Sequence, residues 1–178
     1  HVKPSEGDYY GITKIEAEKI IQELDNWVIL RSTGVIAPAL TINPLMFNTP
    51  LETSLEILQP EEVAKALVNS IDEEQILNKI TNLGGGVDSR VKYRDFLDEM
   101  MKIMGLGRDF LPEKAFAEKN FHCGFYTNDE EIEEILNYQT YSLDDFYKQM
   151  EQSVPDVLRF IMKLLRPIVK VFLLKMSE

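Results

Sequence analysis

The chain has 178 residues, 44% of them hydrophobic and 28% charged, which suits one soluble domain with a sizeable core. Acidic residues outnumber basic ones by 30 to 19, and the net charge of −11 argues against nucleic-acid binding, which needs a basic surface. A single cysteine, Cys123, excludes an intramolecular disulfide and favours a reducing compartment, so we expect a cytoplasmic protein. With one cysteine and two histidines, the sequence predicts no metal site.

The first eight residues contain no methionine and no apolar signal region. They resemble a loop inside a longer protein. A boundary chosen within a longer chain and a proteolytic cut both explain such a start.

A helix and a strand come first in chain order. Apolar residues recur near helical spacing over residues 9–24, which predicts an amphipathic helix. Residues 27–31 are a short β-branched and aromatic run, which predicts a buried strand. A helix followed closely by such a strand is the repeating unit of an α/β sheet, and we expect that fold class.

The remaining elements are less regular until the carboxyl terminus. Glycine and proline interrupt residues 32–60, which predicts a long functional loop or a small irregular subdomain. The acidic run 129–134 is interpreted as the solvated face of a helix. Further patterns predict helices over 61–71, 93–104, 128–137 and 142–152, and a strand over 79–83 that ends at three glycines.

Tyr10 and Lys14 are the residue pair with the clearest chemical potential. Four positions apart in a helix, a phenol and an ammonium project from the same face and converge on one bound group. The ammonium favours the phenolate, so such a tyrosine passes a proton to or from a substrate oxygen while a hydride moves to or from a nicotinamide. By itself the spacing is a weak signal, because helices carry it by chance. Tyr9 lies about 140° around the helix from Lys14, and we interpret it as a packing residue.

Four segments of the sequence are considered together because of their order along the chain. They are YGITKIEAE at 10–18, VILRSTGVIAP at 28–38, ILQPEEVAKAL at 57–67 and NLGGG at 82–86. They resemble the carboxyl-terminal half of the extended short-chain dehydrogenase/reductases, the NAD-dependent epimerases and dehydratases. The corresponding family patterns are Y-G-x-S-K-x-x-x-E, V-x-L-R-x-x-x-V-Y-G-P, V-x-D-V-A-x-A and N-x-G-G-G. Residues 136–143 also resemble the closing segment of that family.

The resemblance implies the later part of a Rossmann-type doubly wound fold, a mainly helical substrate-binding portion and a long carboxyl-terminal helix. We expect these parts at residues 1–35, 36–153 and 154–178. The resemblance further implies that Tyr10 is the proton donor and acceptor, and that Lys14 binds the ribose of NAD or NADP. The backbone of Thr33 and Val35 is expected against the nicotinamide.

The substrate side is less defined by the sequence. Gly34 stands where sugar-nucleotide epimerases often carry Asn, and Arg90 is placed to reach an anionic substrate group or to lie in water. The resemblance implies a nucleotide sugar or a similar hydroxyl or carbonyl substrate. Epimerase, dehydratase and reductase activities all stay open.

The family's glycine-rich phosphate turn and its upstream Ser/Thr are absent from the sequence. The run Gly84-Gly85-Gly86 follows a strand but matches the later family block, so we reject it as that turn. The chain alone is therefore expected to be inactive, with the cofactor cradle elsewhere in a longer parent enzyme. The alternative function is a non-catalytic binding or regulatory module of the same fold, associated with a membrane.

Residues 154–176 form a predicted helix with a basic face made by Arg159, Lys163, Arg166 and Lys170. Residues 154–178 carry a net charge of +3, which leaves −14 for residues 1–153. Three interpretations stay open: packing on the protein itself or on a homodimer partner, peripheral attachment to the inner face of a membrane, and a spanning helix. Recurring charges and Pro167 count against the last.

Overall fold

The computed structural model describes residues 8–39, 43–119 and 123–177, so the predicted loop at residues 1–7 lies outside the described part. Helices and strands both occur, as the sequence predicts for an α/β protein, with the strands between residues 28 and 92 and five α-helices after them among the described residues. They are α1 (Tyr9–Ile21), β1 (Val28–Ser32), β2 (Gly34–Val35), β3 (Ser54–Leu58), α2 (Pro60–Asn69), β4 (Lys79–Leu83), β5 (Arg90–Lys92), α3 (Tyr93–Ile103), α4 (Glu130–Leu136), α5 (Leu143–Ser153), α6 (Asp156–Leu164) and α7 (Arg166–Lys175).

The strands form two small sheets. β1 and β4 pair in parallel, with Val28 opposite Lys79 at one end and Ser32 opposite Leu83 at the other. β3 is the middle strand of the second sheet, parallel to β2 and antiparallel to β5. Thr33 links the sheets, because its backbone N–H donates to the carbonyl of Leu83 at 2.9 Å before the chain enters β2.

The described part of segment 32–60 contains the short strands β2 and β3, so the prediction of a long loop is wrong. The alternative prediction, a small irregular subdomain, stays a prediction. β3 has the sequence SLEIL, and its last four residues are buried. A buried charge interrupts its apolar run at Glu56, and prolines stand nearby at Pro50 and Pro60. The strand forms because its neighbours pair its backbone and a distant cation pairs the charge.

Two hydrophobic cores meet at β3. Leu55 and Ile57 enter the larger core, which is rich in aromatic residues from α3, α5 and the segments around them. Leu58 enters the smaller core. The smaller core is completed by Ala66, Ile76, Leu83, Ile132, Leu136 and Tyr138.

The carboxyl-terminal segment forms two helices, so the prediction of one long helix over 154–176 is wrong. α6 ends at Leu164 and α7 begins at Arg166. Pro167 lies in the first turn of α7, where its missing N–H and its ring prevent the preceding helix from continuing unbroken. In the described residues, no helix has the length and apolar character that crossing a bilayer requires.

One side of α6 and α7 packs against the body of the protein. Leu158 and Val169 lie against the larger core, and Leu173 is fully part of it. Gly105, with a φ of +84°, lets α6 approach closely, because a Cβ at this position would lie 2.5 Å from the carbonyl oxygen of Arg159. The docked side of the tail is thus fixed by shape as well as by apolar contact.

Candidate functional site at the ends of the parallel strands

The first turns of α1 present Tyr10 and Lys14 on one face. Asp8 caps the helix by accepting a hydrogen bond from the N–H of Gly11 at 2.8 Å. The Nζ atom of Lys14 lies 5.4 Å from the centre of the Tyr10 ring, so the structure brings the two residues together as their spacing predicts. Tyr10 is 67% exposed, which leaves the phenol open to a ligand.

A two-pronged ion pair holds α1 against β1. Arg31 donates from Nε to Glu18 Oε1 at 2.8 Å and from Nη2 to Glu18 Oε2 at 2.5 Å. These hydrogen bonds hold the pKa of Glu18 below its usual value even though partial burial acts the other way. Glu18 is one helical turn after Lys14, and Arg31 is two residues before Thr33. The pair therefore positions the Tyr10–Lys14 face relative to the turn that follows β1.

That turn contains the other predicted cofactor contacts. Within the described residues, the hydroxyl of Thr33 is buried and has no hydrogen-bond partner, so a ligand would be able to satisfy it. Gly34 and Val35 form β2, opposite Ile57 and Leu58, and the side chain of Val35 is 45% exposed. Among the described residues, a Cβ at Gly34 would meet only Glu56 O, at an ordinary 3.6 Å, so this position has room for a larger side chain.

Arg90 lies in a charged cluster with two buried carboxylates. Its Nε donates to Glu56 at 3.0 Å, and its Nη2 donates to Asp129 at 3.2 Å and to the carbonyl of Tyr126 at 2.7 Å. The guanidinium also lies 4.7 Å from the centre of the Phe125 ring. Its donors are thus largely engaged within the protein, and substrate binding by Arg90 stays a prediction.

The two carboxylates of the cluster have little access to water. The side chains of Glu56 and Asp129 are 0% and 2% exposed. Burial raises the pKa of Glu56, while hydrogen bonds from Tyr126 N–H and Arg90 oppose that rise. The positive charge of the Arg90 guanidinium offsets the repulsion and the desolvation of these two carboxylates.

The glycine run packs against the protein and forms no open cradle. A Cβ at Gly84 would lie 2.6 Å from Asp129 Oδ2 and 2.7 Å from Glu56 Oε2. A Cβ at Gly85 would lie 1.9 Å from the carbonyl oxygen of Ile57. Two carboxylates beside the run also repel a phosphate group. These contacts support the rejection of the run as a phosphate-binding turn.

The interpretation of the acidic run 129–134 as a solvated face holds for Glu130, Glu131 and Glu134, which are exposed, and is wrong for Asp129, which is buried. Asp129 accepts from Arg90, and Glu133 accepts from the backbone N–H groups of Tyr138 and Gln139, both at 2.9 Å. The sequence contained one signal for the cluster, namely Glu56 inside an otherwise apolar strand, because a buried charge requires a partner. Its partners, Arg90 and the N–H of Tyr126, are 34 and 70 positions away, so local pattern could not identify them.

Tyr126 connects this cluster with the α1–β1 ion pair. Its N–H donates to Glu56 Oε2 at 3.1 Å. Burial raises the pKa of its hydroxyl, while the positive charge of Arg31 acts in the opposite direction. Polar groups thus follow the carboxyl ends of the parallel strands β1 and β4, the edge where open α/β sheets bind ligands.

No family model matches the chain, and no curated protein matches it. Solved structures do match. UDP-glucuronic acid 4-epimerase from Bacillus cereus, determined with UDP-glucuronic acid and NAD, superimposes with a TM-score of 0.58 at 17% identity. dTDP-glucose 4,6-dehydratase from Bacillus anthracis, determined with NAD, superimposes with a TM-score of 0.62 at 13% identity. The chain has the fold of NAD-dependent epimerases and dehydratases.

The extent of these matches agrees with the expected part of the family fold. The epimerase match covers 81% of this chain and 51% of the epimerase, and the dehydratase match covers 86% and 53%. A short-chain dehydrogenase/reductase superfamily protein from Agrobacterium tumefaciens, with bound NAD, has a TM-score of 0.57 at 13% identity. That match covers 88% of this chain and 60% of the Agrobacterium protein. This chain therefore spans about half the length of its structural relatives, consistent with a carboxyl-terminal part, and the predicted fold class is confirmed.

Proposed function

We propose that this chain is the acid–base part of an NAD-dependent enzyme that epimerises, dehydrates, oxidises or reduces a nucleotide sugar or a similar substrate. The observation that carries the proposal is the exposed Tyr10–Lys14 face, fixed by the Glu18–Arg31 ion pair beside the turn at Thr33. The fold supports it, because the matching enzymes include a UDP-sugar epimerase and a dTDP-sugar dehydratase determined with NAD.

The residues present fit the nicotinamide and ribose end of the cofactor. Lys14 donates hydrogen bonds to ribose hydroxyls, and the buried hydroxyl of Thr33 gains the partner that it lacks. Val35 offers an exposed apolar side chain for a flat ring to contact. The chemistry that NAD would supply when held by these residues is hydride transfer to and from the substrate.

Tyr10 handles the proton that accompanies hydride movement. When a substrate hydroxyl is oxidised, the Tyr10 oxygen accepts its proton, and in the reverse direction the Tyr10 hydroxyl donates that proton. Lys14 stabilises negative charge on the Tyr10 oxygen during this exchange. The pyrophosphate of the cofactor is held elsewhere in the parent enzyme, because Gly84-Gly85-Gly86 is filled by the protein itself. We therefore expect the chain alone to be inactive.

Substitutions in the full-length parent test these roles. Tyr10→Phe removes the proton-transfer group, and we expect it to lower kcat by about 100-fold or more while NAD binding persists. Lys14→Met is expected to weaken NAD binding as well as turnover. Tyr9→Phe is the matched control, since Tyr9 lies about 140° around α1 from Lys14, and it should leave both quantities unchanged. Tyr9 is 79% exposed, which corrects its interpretation as a packing residue.

Activity would be followed by chromatography of UDP- and dTDP-sugars, and binding by the fluorescence of reduced nicotinamide with both NADH and NADPH. Full activity in Tyr10→Phe would defeat the proposed role of this residue. If the full-length protein binds neither dinucleotide, the non-catalytic module of the same fold is the correct interpretation. Turnover by the 178-residue chain alone would contradict its expected inactivity.

A further inference from the structure

The side of α6 and α7 that faces away from the protein is apolar and exposed. Eight large apolar side chains there are between 42% and 71% exposed: Val157, Phe160, Ile161, Leu164, Leu165, Ile168, Val171 and Phe172. We call these eight residues the outer tail surface. Soluble monomers seldom expose a contiguous apolar patch beyond a few hundred Å², and larger ones mark binding to a protein or a membrane.

The outer tail surface is distinct from the side by which the tail docks on the protein. Docking uses Leu158, Met162, Val169 and Leu173, which alternate with the exposed residues along the two helices. The helices therefore carry two apolar faces, and the contacts of the protein itself account for one of them. Substituting exposed residues of the other face leaves the docking contacts intact.

The surrounding charge favours an anionic occupant. Residues 154–178 have a net charge of +3 on a molecule whose remainder carries −14. Lys163 and Lys175 make no hydrogen bond or ion pair with any described residue, so their charges are available. Arg166 and Lys170 lie 5.6 and 5.8 Å from the centre of the ring of Phe110, a buried residue of the larger core, so they are on the docked side of the tail. The cations left for the outer tail surface are therefore Lys163 and Lys175.

This distribution disfavours pairing with a second copy. Two outer tail surfaces placed face to face would bring two positively charged tails together, and like charges at an interface oppose association. A bilayer with anionic headgroups attracts the same cations and accepts the apolar side chains in its outer acyl region. At nine and ten residues, α6 and α7 suit lying in that interface, since spanning takes about 20 residues.

We propose that the outer tail surface binds the interface of an anionic lipid membrane. Phe160 and Phe172 enter the boundary between headgroups and acyl chains, and Lys163 and Lys175 contact the headgroups. The strongly acidic remainder of the protein stays away from the lipid surface. This binding is independent of the cofactor and of the Tyr10–Lys14 pair, and it assigns a location to whatever chemistry that pair performs.

Co-sedimentation of the 178-residue chain with vesicles tests the proposal. We expect binding to vesicles of phosphatidylcholine with phosphatidylserine and much weaker binding to phosphatidylcholine alone. The double variant Phe160→Gln/Phe172→Gln should lower the partition coefficient by about tenfold or more, because two aromatic side chains no longer enter the apolar layer. The double variant Lys163→Glu/Lys175→Glu should lower binding to the anionic vesicles by about tenfold.

Val68→Gln/Ile71→Gln is the matched control, since both residues are exposed to a similar degree outside the tail. It should bind vesicles like the unaltered chain. Far-ultraviolet circular dichroism checks that each variant is folded, and light scattering measures the oligomeric state without lipid. Absence of sedimentation with the anionic vesicles overturns the proposal, as does equal binding by the phenylalanine variant. A lipid-independent dimer that the phenylalanine variant dissociates, without vesicle binding, would assign the surface to a second copy.

Discussion

Arg90 is the residue whose charge stabilises two buried carboxylates. Glu56 and Asp129 share its guanidinium, and neither has appreciable contact with water. Removing one member of a buried ion pair strands the other charge, an effect of about 3 to 5 kcal/mol. Because Arg90 is itself 28% exposed, the lower end of that range applies here.

We therefore expect Arg90→Met to lower the free energy of unfolding by about 3 kcal/mol at neutral pH, measured by urea denaturation. Arg94→Met is the control, because Arg94 also bridges two acidic residues, Glu52 and Glu113, whose side chains are each 76% exposed. Its free energy of unfolding should fall much less, because the two carboxylates that lose their partner stay in contact with water. An equal decrease in the free energy of unfolding in both variants would contradict the larger effect expected for the buried cluster.

At the scale of residues, the sequence predicts groups that act locally and misses those that act at a distance. The Tyr10–Lys14 contact follows from helical spacing alone, and the structure reproduces it. The Glu56–Arg90–Asp129 cluster joins a residue within β3, the first residue of β5 and the residue that precedes α4. No periodicity links such positions, because the pairing arises only when the sheet and α4 come together.

At the scale of elements, the Glu18–Arg31 pair is the one ion pair that joins α1 to β1 among the described residues, and it orients the helix. None of the residues of α1 is buried, so apolar packing contributes little to its attachment among the described residues. Glu18→Gln should therefore loosen α1, and we expect it to lower the free energy of unfolding by about 1 kcal/mol at neutral pH. Glu16→Gln, at an exposed position on the same helix, should have almost no effect.

The Glu18 contribution has a defined pH dependence. Arg31 lowers the pKa of Glu18 in the folded protein below 4.5, its value in an unfolded chain. The stabilisation is fully present above pH 4.5 and is lost as the pH falls through the lowered pKa of the folded state. The difference between the unaltered chain and Glu18→Gln should shrink accordingly in urea denaturation at decreasing pH. A difference that stays constant to low pH would contradict this account.

The elements themselves were predictable where one physical rule dominated. α1 begins at Tyr9 and β4 spans Lys79–Leu83, as their patterns predict. β3 escaped prediction because its pattern contains Glu56, whose partner is remote. The prediction of a single carboxyl-terminal helix is wrong because the apolar periodicity continues through Leu165, whereas Pro167 interrupts the helical hydrogen bonding there.

At the scale of the whole molecule, β3 couples the two hydrophobic cores. Ile57 belongs to the larger core and its neighbour Leu58 to the smaller one, since successive side chains of a strand point to opposite sides. Gly85 reinforces the coupling, because its close approach to the carbonyl of Ile57 presses the turn after β4 against β3. Loss of either core therefore removes support from the same strand.

We expect the chain to unfold in one cooperative step even when a single core is weakened. Leu136→Ala in the smaller core should lower the free energy of unfolding by about 2 to 4 kcal/mol, and Phe146→Ala in the larger core by about 3 to 5 kcal/mol. Trp27, the single tryptophan, directly precedes Val28, which packs against the smaller core, so its fluorescence follows the start of β1, while circular dichroism reports on all helices. Both signals should change at the same urea concentration in each variant. Trp27 fluorescence that changes before the helical signal in Leu136→Ala would show that the cores unfold independently.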